Sequence, residues 1–366
     1  MTIREVDVSQ PQSVVLAPIP AEAKPRQRST RLVEVDSLRG IAAVAVVLFH
    51  FTTRFDQLYH HDAQPWMSFS LGHLGVNLFF IISGFVIFMT IEKVNRPMDF
   101  VVTRFSRLYP AYWAAVALTF SITHLLGLPE RTVDLFSALA NLTMVHSLFF
   151  GIPHVDGVYW TLQIELLFYL GMFLLLITHR LERIHLALFG LLGLRLIYLI
   201  AEQGMGISLP WILYKFLILG QIPWFAIGIT VFRLAFHRDS HTRRDGAVLV
   251  AALALLLAGD GPGIALLATA FAGLVYGAAT GRIGLLRNPI LVWLGAISYT
   301  LYLVHEYIGW SVMLTLRAAG WKTDATILAA IAVSLILASL ITYTVERPAM
   351  NRIRAWYRQK TASAAG

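Results

Sequence analysis

The sequence predicts an all-α polytopic membrane protein, and its composition and its apolar runs are the two observations that predict this. Of the 366 residues, 57% are hydrophobic and only 14% are charged, whereas soluble domains carry roughly a quarter of charged residues. Apolar runs of about 18 or more residues recur along the chain, and this is the length that a helix needs to cross a bilayer. Helices are the expected spanning elements because they satisfy their own backbone polar groups.

The distribution of Lys and Arg predicts the topology. Eleven apolar segments can be drawn, and the weakest, residues 133–150, contains Asp134 and His146. If this segment does not cross and the N-terminus is inside, most basic residues fall on the cytoplasmic side, as the positive-inside rule requires. The prediction is ten transmembrane helices, one re-entrant or interfacial segment at 133–150, and two cytoplasmic termini. The outer loops then hold only Arg54, Arg131, Arg317 and Lys322, while Arg39, Arg195 and Lys215 lie within spans.

Three regions follow from the composition. Residues 1–34 are predicted to form a disordered, basic cytoplasmic tail that touches anionic lipid, because they are polar, rich in proline and end in a basic cluster. Residues 35–346 form the transmembrane domain, and residues 347–366 form a basic cytoplasmic C-terminal tail. The absence of cysteine excludes disulfides and thiolate catalysis. No metal site is expected, since the outer-loop cluster His60-His61-Asp62 has no third spaced ligand.

Ionisable residues within the first span are candidate functional residues, because charge in a membrane is costly. Arg39 and His50 are eleven residues apart, which is three helical turns plus about 20°, so they share one face about 16 Å apart. Asp36 lies one turn from Arg39 and can pair with it. The alternative explanations are that Arg39 extends to the cytoplasmic surface and that His50 only packs between helices.

Further candidates lie on later spans. The predicted topology places His50, Glu165 and His305 at similar depth in the outer half of the membrane, and Glu306 follows His305 directly. Glu165 shares a helix face with Thr161 and Tyr169 at four-residue spacing. Structural pairing between helices is the alternative for each of these groups.

Arg104 and Arg107 lie one turn apart at the cytoplasmic start of the third span. Two guanidinium groups at this spacing suit phosphate oxygens. The alternative is that they are ordinary positive charges of a cytoplasmic loop.

Five stretches, in this order, resemble the membrane acyltransferase family three. The resemblance covers about residues 32–350, and each motif is weak alone but the set is specific. The stretches are Asp36-Ser-Leu-Arg39 with His50, Gly75 to Gly84, Arg104-Phe-Ser-Arg-Leu-Tyr-Pro110, Trp160-Thr-Leu-Gln-Ile-Glu165 and Ser298-Tyr-Thr-Leu-Tyr-Leu-Val-His305.

This family includes bacterial O-acetyltransferases that act on O-antigen, exopolysaccharides and Nod factors. The resemblance implies a bacterial inner-membrane enzyme with a cytoplasmic acyl-coenzyme A donor, acetyl-coenzyme A above all, and a hydroxyl acceptor on an exported or lipid-linked glycan. It also implies that Arg39 and His50 are essential. Two departures leave the acceptor open: Thr161 replaces the usual serine, and the fused extracytoplasmic domain of some members is not expected here.

The resulting site hypothesis assigns catalysis to His50, Glu165 and Arg39. His50 deprotonates the acceptor hydroxyl or carries the acyl group, and Glu165 orients its imidazole or stabilises its charged form. Arg104, Arg107 and Arg39 bind the donor. The residues expected to contact substrate or to support the site are Asp36, Trp160, Tyr299, His305 and Glu306.

Two other functions remain open at this point. A proton-coupled transporter or a lipid-linked glycan flippase would also use intramembrane His and Glu residues. A non-catalytic scaffold of a polysaccharide export complex is the third possibility. A nucleic-acid partner is not expected, since the net charge of +8 is typical of the cytoplasmic loops of a membrane protein.

Overall fold

The computed structural model describes residues 32–94, 96–237 and 242–363, and every regular element in these ranges is a helix. The predicted N-terminal tail lies outside the described residues except for its last three positions. In chain order the α-helices are α1 (Val33–Leu48), α2 (Phe55–Tyr59), α3 (Gly75–Ile91), α4 (Pro97–Leu126), α5 (Leu135–Asn141), α6 (His146–Phe150), α7 (Trp160–Ile177), α8 (Ile184–Leu199), α9 (Trp211–Phe216), α10 (Ile222–Phe236), α11 (Thr242–Asp260), α12 (Pro262–Ala279), α13 (Pro289–Val304), α14 (Glu306–Ala318), α15 (Thr323–Ile341) and α16 (Arg347–Ser363).

The helices confirm the polytopic membrane class. In the described part of the chain, six helical stretches are long and apolar enough to cross a membrane, and α10 and α13 are shorter apolar helices. The total of ten spans stays a prediction. Within the described ranges, the helical stretches long and apolar enough to cross a membrane are Val33–Tyr59, Ser70–Ile91, Gly157–Ile177, Leu181–Gly204, Pro262–Ala279 and Thr323–Ser363.

The segment at 133–150 folds into the two short helices α5 and α6. They have seven and five residues, so the longer measures roughly 10 Å, about a third of the hydrocarbon thickness. The buried Asn141 side chain fixes the segment, since its Nδ2 donates to Ser137 O at 2.7 Å and to Pro153 O at 3.0 Å. The Tyr112 hydroxyl of α4 donates to Asn141 O at 2.7 Å. The segment therefore forms no membrane-spanning helix, as the sequence predicts.

Helices α1 and α13 cross in close contact at two glycines. A Cβ atom on Gly40 would lie 2.6 Å from Gly295 N, so no larger residue fits there without separating the helices. The buried Ser37 hydroxyl donates to Leu286 O at 2.6 Å and fixes the register beside this crossing. This packing sets the first span against the helix that ends at His305.

Residues 347–363 of the predicted C-terminal tail form helix α16, which packs along α4. Arg354 Nε donates to Ser106 Oγ at 3.0 Å, and the Tyr357 hydroxyl donates to Asp99 Oδ1 at 2.8 Å. The region is therefore a docked basic helix, and its contacts lie beside the Arg104 turn of α4.

Candidate active site

His50 lies in the π-helical turn Phe49–Arg54 that continues α1. Such turns widen a helix locally and occur frequently at functional sites. His50 Nδ1 lies 2.9 Å from Val46 O and 3.1 Å from Nε2 of His305. The two histidines that the sequence places at similar depth are therefore in direct contact.

The hydrogen-bond partners assign the protons on both imidazoles. His305 Nδ1 lies 2.8 Å from Tyr302 O, and because a carbonyl only accepts, this nitrogen carries the proton. His305 Nε2 is then an acceptor, so His50 Nδ1 carries a proton, and this N–H is shared between Val46 O and His305 Nε2. His50 Nε2 is left with a free lone pair, which is the state that a general base requires.

Glu306 is the carboxyl group next to this lone pair. Its Oε1 lies 3.6 Å from His50 Nε2, and its side chain is buried. Glu306 also faces the carboxyl of Asp156 in hydrogen-bond contact. Two carboxyl groups in such contact share one proton, so the pair carries one negative charge beside the imidazole.

Asp156 is fully buried just before α7 and is held by backbone donors. Its Oδ1 accepts from Val158 N at 3.2 Å, and its Oδ2 accepts from Tyr307 N at 3.1 Å. Burial raises the pKa of Asp156 to about 7. The next residue is Gly157, where a Cβ atom would lie 2.5 Å from Glu306 Oε2. The Asp156-Gly157 segment therefore positions the Glu306 carboxyl against His50.

A cavity of about 620 Å³ opens on His50 and is called here the histidine cavity. Trp160, predicted to contact substrate, lies on its wall with 43% of its surface exposed. Its lining combines charged, aromatic and amide side chains, and includes His50, Arg54, His73, Asn77, Arg131, Trp160, Arg195, Gln221, Asp260, Glu306 and Trp310.

A second, smaller cavity of about 90 Å³ is called here the arginine cavity. Thr161, Glu165 and Tyr169 all line it, so the helix face that the sequence predicts for them is confirmed. Its charged and polar lining comprises Arg39, Ser83, Arg104, Arg107, Thr161, Glu165, Tyr169, Ser298, Tyr299 and Tyr302.

The two cavities adjoin. Val76, Phe80 and Tyr302 line both of them. The Tyr302 hydroxyl accepts from Thr161 Oγ1 at 3.0 Å, which fixes the shared wall. Arg39 and His50, which share a face of the first span by sequence, thus lie on separate but neighbouring cavities.

The hydrogen bonds of Glu165 lie away from His50, and its role in orienting the imidazole stays a prediction. The Glu165 Oε1 atom accepts from Ser83 Oγ at 2.9 Å and from the Tyr169 hydroxyl at 2.5 Å, on the arginine cavity. Depth in the membrane placed it level with His50, but the rotation of α7 turns it toward α3. Glu306 occupies the position beside the imidazole instead.

The two arginines of α4 have different environments. Arg107 pairs with the buried carboxylate of Glu346 and lies over the Tyr299 ring at 5.6 Å. Arg104 lies over the rings of Phe100 and Tyr169, each at 5.6 Å. In the part of the chain that the structure describes, neither Arg104 nor Arg39 has a carboxylate oxygen within 4.0 Å. Arg39 and Arg104 are therefore the guanidinium groups of the arginine cavity that are available to an anionic ligand.

Tyr299 and Asp36, which the sequence predicts to support the site, lie at or near the arginine cavity. The Tyr299 hydroxyl donates to Leu108 O at 3.0 Å, which holds α13 against α4. Asp36 lies close enough to Arg107 to attract its positive charge.

Sequence reasoning missed Asp156, Gly157 and Glu346. The two acidic residues flank predicted spans rather than interrupt them, so no cost of charge in lipid marked them. Glu346 ends a π-helical turn after α15 and is completely buried. A search for acidic residues at the ends of apolar segments would have found both.

The comparison with protein families agrees with this arrangement. The family model that is described as an acyltransferase domain matches residues 32–344. The chain belongs to the acyltransferase 3 family. The resemblance noted in the sequence is thus confirmed, and the protein is an O-acyltransferase.

Two curated relatives extend the comparison. The acyltransferase is 28% identical to the exopolysaccharide production protein ExoZ of Rhizobium meliloti (strain 1021) over 335 residues, covering 84% of this chain and 98% of that protein. It is 34% identical to protein 2 in the picA locus of Rhizobium radiobacter over 113 residues, covering 29% of this chain and 54% of that protein. No solved structure matches the chain.

Proposed function

We propose that this acyltransferase transfers an acyl group, acetyl above all, from acyl-coenzyme A to a hydroxyl of an exported glycan. The observation that carries the proposal is the pair of adjoining cavities. One presents guanidinium groups and the other presents the free Nε2 of His50, and they meet at Val76, Phe80 and Tyr302. A donor held by its phosphates on one side and an acceptor bound on the other would meet at this wall.

The arginine cavity supports donor binding. Arg39 and Arg104 have no carboxylate partner among the described residues, so their donors are free for phosphate oxygens. The distance of about 16 Å along α1 from Arg39 to His50 suits the pantetheine arm of coenzyme A. The thioester at its end would then reach the histidine cavity.

The histidine cavity supports general base catalysis. His50 Nε2 accepts the proton of the acceptor hydroxyl, and the hydroxyl oxygen attacks the thioester carbonyl carbon. The carbon–sulfur bond breaks, and the coenzyme A thiolate takes the proton from His50. Glu306 and Asp156 stabilise the imidazolium with their shared negative charge, and His305 keeps the required tautomer. Base catalysis of this kind contributes about 10²–10⁴-fold.

A covalent route uses the same atoms. His50 Nε2 attacks the thioester carbon, and the coenzyme A thiolate leaves. The acyl-imidazolium then passes its acyl group to the hydroxyl oxygen, and the hydroxyl proton goes to the thiolate. Rapid quenching of the enzyme with labelled acetyl-coenzyme A and no acceptor separates the two routes, since only the covalent route labels the protein.

The acceptor is proposed to be an exopolysaccharide or its lipid-linked precursor. The relative that this chain matches over 98% of its length is an exopolysaccharide production protein. The proposed location is the bacterial inner membrane, with both termini and the arginine cavity on the cytoplasmic side, where acyl-coenzyme A is made.

The deciding experiment uses the full chain purified in detergent, labelled acetyl-coenzyme A and chemically de-O-acetylated exopolysaccharide. We expect label in the glycan, and no label with His50→Ala. Uptake of the glycan into vesicles without labelling would instead identify a transporter.

A further inference from the structure

Three arginines line the histidine cavity without taking part in the proposed chemistry. Arg54 ends the π-helical turn after α1, Arg131 lies in the loop after α4, and Arg195 lies in α8. Among the described residues, none of the three has a carboxylate oxygen within 4.0 Å of its guanidinium. Three separate elements therefore direct unneutralised positive charge to one cavity.

The observed contacts orient these guanidinium groups but do not neutralise their positive charge. Arg54 Nη1 donates to Gln57 Oε1 at 3.0 Å. The Arg131 side chain is in hydrogen-bond contact with the hydroxyl groups of Tyr59 and Tyr307. The Arg195 guanidinium lies 5.2 Å from the centre of the Tyr214 ring. Amide, hydroxyl and aromatic partners hold an arginine in place while its remaining donors stay available to a ligand.

The negative groups of the cavity do not balance this charge. Among the described residues, the carboxyl groups that line it are Asp260 and Glu306, and Glu306 shares a proton with Asp156, which lies behind it. The three guanidinium groups thus exceed the available negative charge, and the Nε2 atom of His50 adds none. The cavity carries an excess of positive charge when it is empty of substrate.

The three arginines lie at positions where a positive charge is uncommon in a membrane protein. Arg195 lies within a helical stretch that is apolar enough to cross the membrane, where a charged side chain marks a functional site. In the predicted topology Arg54 and Arg131 are two of the few basic residues on the outer side, where the positive-inside rule disfavours them. A cavity that concentrates such residues favours an anionic ligand.

We propose that Arg54, Arg131 and Arg195 form a subsite for an anionic group of the acceptor, a carboxylate or a phosphate. This deepens the proposed function, because it assigns the acceptor to acidic glycans or to glycans linked to a phosphate-bearing lipid. Guanidinium groups bind both kinds of anion through paired hydrogen bonds. Holding the charged group at the cavity wall leaves a neighbouring hydroxyl to approach His50 Nε2.

The test measures binding without turnover. The full chain is purified in detergent and saturated with coenzyme A, so that the arginine cavity is occupied. Glucuronate, inorganic diphosphate and glucose are then titrated by calorimetry. We expect at least one anion to bind and glucose not to bind at the same concentration. Arg195→Gln should weaken anion binding by about tenfold or more, the loss expected for one charge-assisted hydrogen bond.

Arg282→Gln is the matched control. The Arg282 guanidinium also lies over a tyrosine ring, that of Tyr276 at 5.5 Å, but it does not line the cavity, so anion binding should be unchanged. Arg131→Gln, in a loop, serves as the second variant if Arg195→Gln does not fold. Tighter binding of glucuronate identifies an acidic sugar, and tighter binding of diphosphate identifies a lipid-linked glycan.

Two results would overturn the subsite. One is that neither anion binds the coenzyme A-saturated protein. The other is that the variant lacking all three arginines binds as tightly as the original. A protein that binds the anion through Arg195 but transfers no acyl group would contradict the proposed function and leave the subsite standing.

Discussion

His50 Nδ1 lies 3.1 Å from His305 Nε2, and this contact fixes which nitrogen of His50 can act as a base. His305 Nδ1 donates to Tyr302 O, and the one proton on His50 Nδ1 is shared between Val46 O and His305 Nε2. The only free lone pair of the two rings is on His50 Nε2, which faces Glu306. Val46 O and His305 Nε2 thus fix the tautomer of the proposed base before substrate binds.

His50→Ala should abolish acyl transfer and leave coenzyme A binding nearly intact. The imidazole supplies the basic nitrogen of the proposed mechanism, whereas the donor phosphates are proposed to lie about 16 Å away. Transfer is measured with labelled acetyl-coenzyme A, and donor binding by calorimetry. Substantial residual transfer would make His50 a packing residue and His305 the better candidate for the base.

His305→Ala should lower kcat by about 10–100-fold and leave the KM for the donor unchanged. Val46 O still accepts from His50 Nδ1, so the base keeps part of its orientation and the loss is smaller than for His50→Ala. His305→Asn offers an amide in place of the imidazole and should recover part of the rate. An unchanged kcat in His305→Ala would show that Val46 O alone sets the tautomer.

Asp156 and Glu306 should act as one unit. Glu306→Gln leaves the negative charge of the pair on Asp156, which does not contact the imidazole, so Asp156→Asn should add little further loss of kcat when the two changes are combined. Residues in one hydrogen-bonded network give strongly non-additive effects in such a cycle. The measurement is kcat for the two single variants and the double variant under saturating donor.

Gly157→Ala gives an independent variant of this unit. It keeps both carboxyl groups, but the new Cβ would lie 2.5 Å from Glu306 Oε2 and displace it from His50. We expect reduced kcat with intact donor binding. Fully additive losses in the Asp156 and Glu306 cycle would mean that Asp156 only stabilises the fold.

Arg104 and Arg107 should differ when each is replaced. Arg104→Gln should weaken coenzyme A binding by about 1.5–3 kcal/mol, the contribution of a charged hydrogen bond. Arg107→Ala should instead destabilise the protein by roughly 3–5 kcal/mol, because it leaves the buried Glu346 carboxylate unpaired. Calorimetry and thermal unfolding in detergent measure the two effects.

Glu346→Gln is the control for Arg107, since it should recover much of the stability lost in Arg107→Ala. Equal loss of donor affinity in the Arg104 and Arg107 variants, with no loss of stability, would return both arginines to the original donor-binding hypothesis.

The basic segment at residues 233–244, which includes the end of α10 and the start of α11, should be cytoplasmic, because Arg233, Arg238, Arg243 and Arg244 concentrate there. The test position, Ser240, lies outside the described residues. A cysteine introduced at Ser240 in this cysteine-free chain should resist an impermeant thiol reagent in intact cells and react after the cells are opened. Labelling in intact cells would contradict the ten-span topology.

The membrane class, the family and the shared face of α7 could be predicted from the sequence of individual segments. Composition and apolar runs determined the membrane class, and five short motifs determined the family. Helical periodicity placed Thr161, Glu165 and Tyr169 on one face, and all three line one cavity. These predictions succeed because the α-helix has fixed geometry, so residues on one helix have known relative positions.

Which groups face one another across helices was decided only by the tertiary structure. Glu165 and Glu306 both carry a carboxyl group near the predicted depth of His50, yet Glu306 lies beside the imidazole and Glu165 contacts Ser83. Arg107 is neutralised by Glu346, which is distant in sequence. Periodicity gives the position of a residue around its own helix axis. The rotation and register between helices come from packing, as where α1 and α13 meet at Gly40 and Gly295.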